Sequence, residues 1–401
     1  MPRKITLDLP NMLTFVVVAI AILLLVPLDP AVQLGDFEPT PYTGKINTSS
    51  SLDYIVEDHY FPTQEKGVDC HAWLYLPLHS SSSSNNSSQI EDESSSESVE
   101  SSAVTETTLA NRQLPIIIMA SGFAEQKDFG LDVYAERFVQ YGFAVFLFDY
   151  RSFGASQGVP RNWVSPKRHI QDWNAAIDYI SETEQLHLQI NPQKIGLWGM
   201  SFGGGHVLTV VSQRHADNTN STNNNIVAVV AQAPFLRPAS SNKKLSKRRG
   251  QLGKMRLAVA ALQDAARGYL GLSPAVIPIL GLRGQLSMMP TTPEALDFYL
   301  SLHPSPKLGG WINRAPVRGL LEFKGYKPLE NVRRQPPRIP VLLISGSRDA
   351  VCPAEVIDEV DRLLPHSSVI TRNASHVELM GPDHAPSVSE DMAIFFAKAF
   401  Q

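Results

Sequence analysis

Cysteine is almost missing from this chain. Only Cys70 and Cys352 occur among its 401 residues, too few for a disulfide framework or a zinc knuckle. Two free thiols are the expectation, and a single bridge the alternative. An excess of one charge is missing too: 35 basic residues face 39 acidic ones, for a net charge of -4, which removes the electrostatic case for a nucleic-acid partner. After Ser201, the glycines Gly203, Gly204 and Gly205 lack the lysine and the serine or threonine that a nucleotide-phosphate loop requires. Histidines are scattered, so no metal and no other cofactor is implied. Apolar residues are not scarce. At 43% hydrophobic and 18% charged, the chain can bury a large core in one domain or two, and disorder of the whole is excluded.

One long apolar run opens the chain. Residues 12–28, interrupted by Thr14 and closing near Pro27, span roughly 17 residues, the short limit for a membrane-crossing helix and slightly long for a signal-peptide core. No small-x-small cleavage site follows cleanly. The reading is therefore an uncleaved signal anchor or transmembrane helix within 1–30, ahead of a cleaved signal peptide that would give a secreted protein, with a buried core helix third. Arg3 and Lys4 precede the run and Asp29, Asp36 and Glu38 follow it, so the positive-inside rule sends the rest of a single-pass chain to the lumenal or extracytoplasmic side. Sequons at Asn47, Asn86, Asn220 and Asn373 are compatible with that side.

The remainder divides by composition. An antiparallel strand pair, 31–78, begins the folded domain, and a disordered Ser-rich insertion, 79–111, has too few apolar anchors to repay its ordering entropy. Continuous apolar strands then alternate with amphipathic helices over 112–235, the pattern of a mostly parallel, doubly wound α/β sheet. That alternation stops over 236–338, read as an all-helical lid with a basic loop at 243–249 and an apolar helix over 255–270. It resumes over 339–401, so the lid is inserted before the last two strands.

Within this frame one stretch carries chemistry. Gly199-Met200-Ser201-Phe202-Gly203 is G-x-S-x-G between a strand and a helix, and a turn that sharp needs the small residues Gly199 and Gly203 beside a strained apex. Ser201 is the candidate nucleophile. A serine needs a base, and the base an acid to orient it, and on a parallel sheet both come from loops at the carboxyl ends of strands. Asp349 and His376 stand just after the last two strands, in the order Ser, Asp, His. The rival acids Glu355 and Asp358 fall inside the next helix, the rival base His384 lies farther on, and His206 is read as packing. An oxyanion would be met by the backbone N–H of Phe202 at the elbow and of Phe123 in the loop Ser121-Gly122-Phe123.

Together with Asp149-Tyr150-Arg151-Ser152-Phe153-Gly154, Gly158-Val159-Pro160-Arg161 and Trp311-Ile312-Asn313-Arg314, these motifs resemble the α/β-hydrolase superfamily. The likeness is to its serine aminopeptidase-like and polyketide acyltransferase-like branch, and it spans the chain outside the N-terminal run and the Ser-rich insertion. That resemblance implies an α/β-hydrolase fold and a serine hydrolase, esterase- or thioesterase-like, with amides a further substrate class. The substrate would be a small molecule carrying an acyl group, cleaved through an acyl-enzyme. Alternatives are an acyltransferase with the same Ser-His-Asp triad and a catalytically silent, membrane-anchored scaffold. Where the family often has histidine, this chain has Ser121, which removes one brace of the oxyanion loop. A glycan on Asn373, three residues before His376, would crowd the mouth of the site unless it lay outside the cleft.

Overall fold

A computed structural model describes residues 24–35, 54–78, 113–217, 225–302 and 311–401, with Thr14, Val17, Val18, Ile20 and Ala21 besides. The Ser-rich insertion and the sequons at Asn47, Asn86 and Asn220 lie outside the described residues, as does much of the apolar run 12–28. Among the described residues no helix is long and apolar enough to cross a membrane.

An eight-stranded sheet runs through the molecule. In chain order its strands are β1 (Tyr54–Pro62), β2 (Asp69–Pro77), β3 (Leu114–Ala120), β4 (Ala144–Phe148), β5 (Ile190–Met200), β6 (Ile226–Gln232), β7 (Val341–Gly346) and β8 (Ser367–Arg372), and they lie side by side as β8-β7-β6-β5-β3-β4-β2-β1. From β4 to β8 all neighbours are parallel, while β2 runs against both β1 and β4. The expected doubly wound, mostly parallel sheet is thus present, its antiparallel pair at one edge.

The central strands β3, β4, β6 and β7 are apolar over nearly their whole length because both faces are covered. In β3, Ile116, Ile118 and Ala120 join one core with Phe146, Trp173 and Val207, whereas Ile117 and Met119 join the other with Tyr134, Phe138, Trp198 and Phe396. Each large apolar side chain fully buried in these layers contributes about 1.5–3 kcal/mol. The helices are α1 (Asp132–Gln140), α2 (Pro166–Glu182), α3 (Phe202–Asp217), α4 (Pro238–Tyr269), α5 (Pro293–Leu302), α6 (Pro328–Arg334), α7 (Ala354–Asp361) and α8 (Ala385–Ala399), of which α4 and α5 belong to the lid. Local sequence starts them: α2 has proline in its first turn, and Ser165 before it accepts the Arg168 N–H at 3.2 Å.

The lid departs from expectation in three ways. It is not all-helical: Ala275–Ile277 pairs antiparallel with Gln33–Leu34 on one side and with Ala315–Pro316 on the other. Pro274, Pro278 and Pro290 break this stretch into pieces too short for a helix, and Val276 and Ile277 favour extended backbone. Nor is the basic stretch a loop, for 243–249 belongs to α4, which kinks at Gly250 where φ is +71°. Finally, the apolar helix does not bury its large side chains: Met255, Leu262 and Tyr269 are exposed, and Ala260, Ala261, Gln263 and Asp264 face inward. Asp264 ties the lid together, accepting the Ala275 N–H at 2.8 Å, the Arg318 N–H at 2.7 Å and the Arg318 guanidinium at 2.9 Å. Residues before the sheet join this unit as well. Arg256 pairs with Asp29, the Gln263 amide donates to Val26 O at 2.7 Å, and Arg267 donates to Leu24 O.

Candidate active site

Strand topology brings four loops to one edge of the sheet, those after β3, β5, β7 and β8. The loop after β5 is the elbow. Ser201 sits at its apex with φ of +52°, a left-handed conformation that costs a non-glycine residue about 1–2 kcal/mol. Backbone hydrogen bonds hold it there: the Ser201 N–H donates to Gln232 O at 2.8 Å, and the Phe235 N–H donates to Ser201 O at 2.8 Å. Glycine is required on both sides of the apex. A Cβ on Gly199 would stand 2.3 Å from Gly203 O, and one on Gly203 would stand 2.6 Å from Ser121 O.

Three side chains predicted from different loops meet here. His376 Nε2 is 2.9 Å from Ser201 Oγ, and His376 Nδ1 is 2.6 Å from Asp349 Oδ2. The other carboxylate oxygen, Asp349 Oδ1, accepts the N–H groups of Val351 and Cys352, each at 2.7 Å, so the acid cannot swing away. Burial disfavours a charged imidazole at His376, but the Asp349 carboxylate overrides it and lifts the His376 pKa well above the ordinary value of 6.5. The rivals stay outside this arrangement: Glu355 and Asp358 belong to α7, and His384 caps α8. His206 is fully buried 3.3 Å from His169, and burial lowers its pKa to about 3, which keeps it a neutral packing residue.

The loop after β3 approaches the elbow from the side. Among the described residues, neither the Phe123 nor the Phe202 N–H donates a hydrogen bond to the protein, and the two rings meet edge to face at 5.7 Å. Sequence reasoning missed how this loop is braced. Glu125, fully buried, accepts the Gly122 N–H at 2.8 Å through its carboxylate, and its carbonyl accepts from Ser121 Oγ at 3.1 Å. Burial pushes the Glu125 carboxyl pKa up to about 7 against the pull of the Gly122 amide. The lid holds the same loop, since Tyr299 donates to Phe123 O at 3.0 Å and Trp311 to Ala124 O at 2.6 Å. An acid three residues beyond Gly122 was the available signal for Glu125.

Aromatic rings cluster on the elbow residue Phe202. Phe323, from the lid, stacks on Phe202 at 5.3 Å and meets Phe123 at 6.1 Å, while Tyr326 meets Phe202 at 5.1 Å. Asp149 and Arg151 serve as bracing groups: Asp149 pairs with Lys127 and accepts its N–H at 2.8 Å, and Arg151 pairs with buried Asp172. Asn373 is exposed and accepts from Arg348 Nε at 3.1 Å. Both cysteines are free and buried. Cys352, expected from the sequence only as a free thiol, lies in the turn after Asp349. Together with Asp349 and His376 it forms a group of side chains whose donor atoms are close enough to hold a cation.

Comparison with known proteins agrees with this architecture. The family described as serine aminopeptidase, S33, matches residues 112–270. The quorum-quenching protein AidA of Acinetobacter baumannii is 34% identical over 242 residues, 60% of this chain and 72% of that protein. Thiohydrolase aneE of Aspergillus aculeatus is 26% identical over 243 residues, 60% of this chain and 71% of its own. Polyketide transferase grgF of a Penicillium species is 24% identical over 248 residues, 61% of this chain and 74% of that one. A solved α/β-hydrolase structure, GrgF from Penicillium sp. sh18, superimposes with a TM-score of 0.60 at 20% identity, covering 86% of this chain and 99% of that one. With this sheet order, this elbow and relatives that match most of their own length, the chain belongs to the α/β-hydrolases, in the branch of the serine aminopeptidase S33 family, and is an enzyme of that kind.

Proposed function

We propose that this α/β-hydrolase cleaves a carboxylic ester or thioester through an acyl-enzyme on Ser201. The observation that carries the reading is the unbroken relay from Ser201 Oγ through His376 to Asp349, at 2.9 and 2.6 Å. His376 Nε2 takes the serine proton as Oγ attacks the acyl carbon. Asp349 holds Nδ1–H and stabilises the imidazolium, and the N–H groups of Phe202 and Phe123 receive the oxyanion. His376 then gives its proton to the leaving alcohol or thiol, and a water molecule, activated by the same imidazole, releases the acid. The aromatic cluster of Phe123, Phe202, Phe323 and Tyr326 at the elbow favours an apolar acyl group, and the thiohydrolase name of one relative favours a thioester among the candidates.

Acyl transfer is the second reading, favoured by the polyketide transferase among the relatives. An alcohol or amine would then replace water in the last step. A fluorophosphonate probe tests the nucleophile: wild type should label and Ser201→Ala should not, and equal labelling of the two would sink both readings. A panel of esters and thioesters of rising chain length, with and without an added acceptor alcohol, separates hydrolysis from transfer by product analysis. For localisation the proposal is that residues 12–28 anchor the chain with its catalytic domain on the extracytoplasmic side. Release of the full chain from membranes by alkaline carbonate would overturn it.

A further inference from the structure

Cys352 takes no part in the relay, yet it lies against it. Its N–H donates to Asp349 Oδ1 at 2.7 Å, and this turn carries the thiol beside His376. A carboxylate oxygen of Asp349, the Cys352 sulfur and one imidazole nitrogen of His376 all lie within 4.8 Å of one another. Asp349 and Cys352 are buried, whereas the His376 side chain keeps 16% of its surface exposed. The cluster therefore has an open side.

We propose that Asp349, Cys352 and His376 form a binding site for a thiophilic divalent cation of the Zn2+ type, overlapping the catalytic relay. Zinc takes thiolate sulfur at about 2.3 Å, imidazole nitrogen at about 2.0–2.1 Å and carboxylate oxygen at about 2.0–2.2 Å, so ligand atoms around one tetrahedral ion stand roughly 3.3–3.7 Å apart. Small side-chain adjustments bring these three donors to that spacing. The hydrated cation enters with its charge unchanged. The Cys352 S–H bond ionises and its proton leaves to solvent, sulfur, nitrogen and oxygen lone pairs form the three bonds, and one water stays in the fourth position. Without a cation, burial keeps the thiol protonated, and a bound dication reverses that preference. Thiolate and imidazole donors select against Mg2+ and Ca2+, which favour oxygen. An imidazole bound to the cation cannot take the Ser201 proton, so occupancy and turnover exclude each other. That inhibitory consequence rests on the proposed triad, whereas binding does not.

The test uses the full chain with Cd2+ and Zn2+ as probes. Cd2+ should raise a thiolate-to-metal ultraviolet band in wild type and in Ser201→Ala, and none in Cys352→Ala or in the nearly isosteric Cys352→Ser, all of which keep Cys70. Zn2+ should abolish fluorophosphonate labelling of wild type, with recovery on adding a chelator, and the Cys352 variants should need at least tenfold more. Mg2+ should do nothing at equal concentration. No band in wild type, a band that persists in both Cys352 variants, or equal Zn2+ sensitivity of wild type and variants would overturn the site. A band in wild type without labelling at any Zn2+ concentration would support the site and remove the serine-hydrolase reading instead.

Discussion

The floor of the site and its roof are built by different means. Below, the elbow is fixed by backbone: sheet register, a strained serine, and two glycines against which other main chain is packed at distances no Cβ tolerates. Above, the lid is fixed by side chains, with Asp264 gripping Arg318 and Ala275, and Tyr299 and Trp311 reaching down to the loop after β3. A backbone-built floor has one geometry, suited to holding reacting atoms in place. A roof held by side chains can change its lining without moving the floor, which is where relatives with different substrates can diverge.

If that division holds, breaking the floor should abolish turnover and leave stability nearly untouched. Ser201→Ala is expected to cost about 10⁶-fold in kcat with an unchanged unfolding midpoint, measured by ester turnover and thermal melts. A retained rate would refute the floor assignment. Asp349→Asn should cost about 10⁴-fold and also shift the pH profile. Turnover needs neutral His376, so activity falls as pH drops through its pKa, and the Asp349 charge holds that pKa above the ordinary 6.5. Removing the charge leaves burial, which lowers it, so the acid limb should move to lower pH; a limb that stays put would contradict the coupling.

Breaking the roof should act the other way round. Arg318→Ala removes the guanidinium from Asp264, whose side chain is fully buried and keeps two backbone N–H donors, and should cost about 3–5 kcal/mol of stability. Denaturant melts read this directly, and a loss under 1 kcal/mol would mean that the lid is held elsewhere. The smallest effect sharpens the boundary between the two regions. Tyr299→Phe removes the donor to Phe123 O and should lower kcat by about tenfold, about 1.4 kcal/mol, with little change in KM. A pure KM effect would make Tyr299 a substrate contact rather than a positioning group.

Sequence legibility follows the same line. Ser201, Gly199, Gly203, Asp349 and His376 were legible because backbone strain and strand topology leave few residue types and few places for them. The lid strands were not, because Ala275–Ile277 owes its extended form to partners at Gln33 and Ala315 far away in sequence. The outward turn of Met255 and Leu262 depends likewise on what α4 packs against. Glu125 and Cys352 each stand three residues from a residue that was singled out, one turn's reach, yet an acid or a thiol at that spacing has meaning only once the turn is seen to fold back.

Trp311 and Tyr299 also bear on engineering. Because both donate to carbonyls of the loop that carries the Phe123 amide, residues 236–338 are not a cassette that can be exchanged for a new specificity at constant speed. A chimaera carrying another relative's lid inherits that lid's grip on the loop, and its turnover number should travel with its substrate range. Grafts that retain the Tyr299 and Trp311 donors are the ones in which selectivity can be redesigned alone.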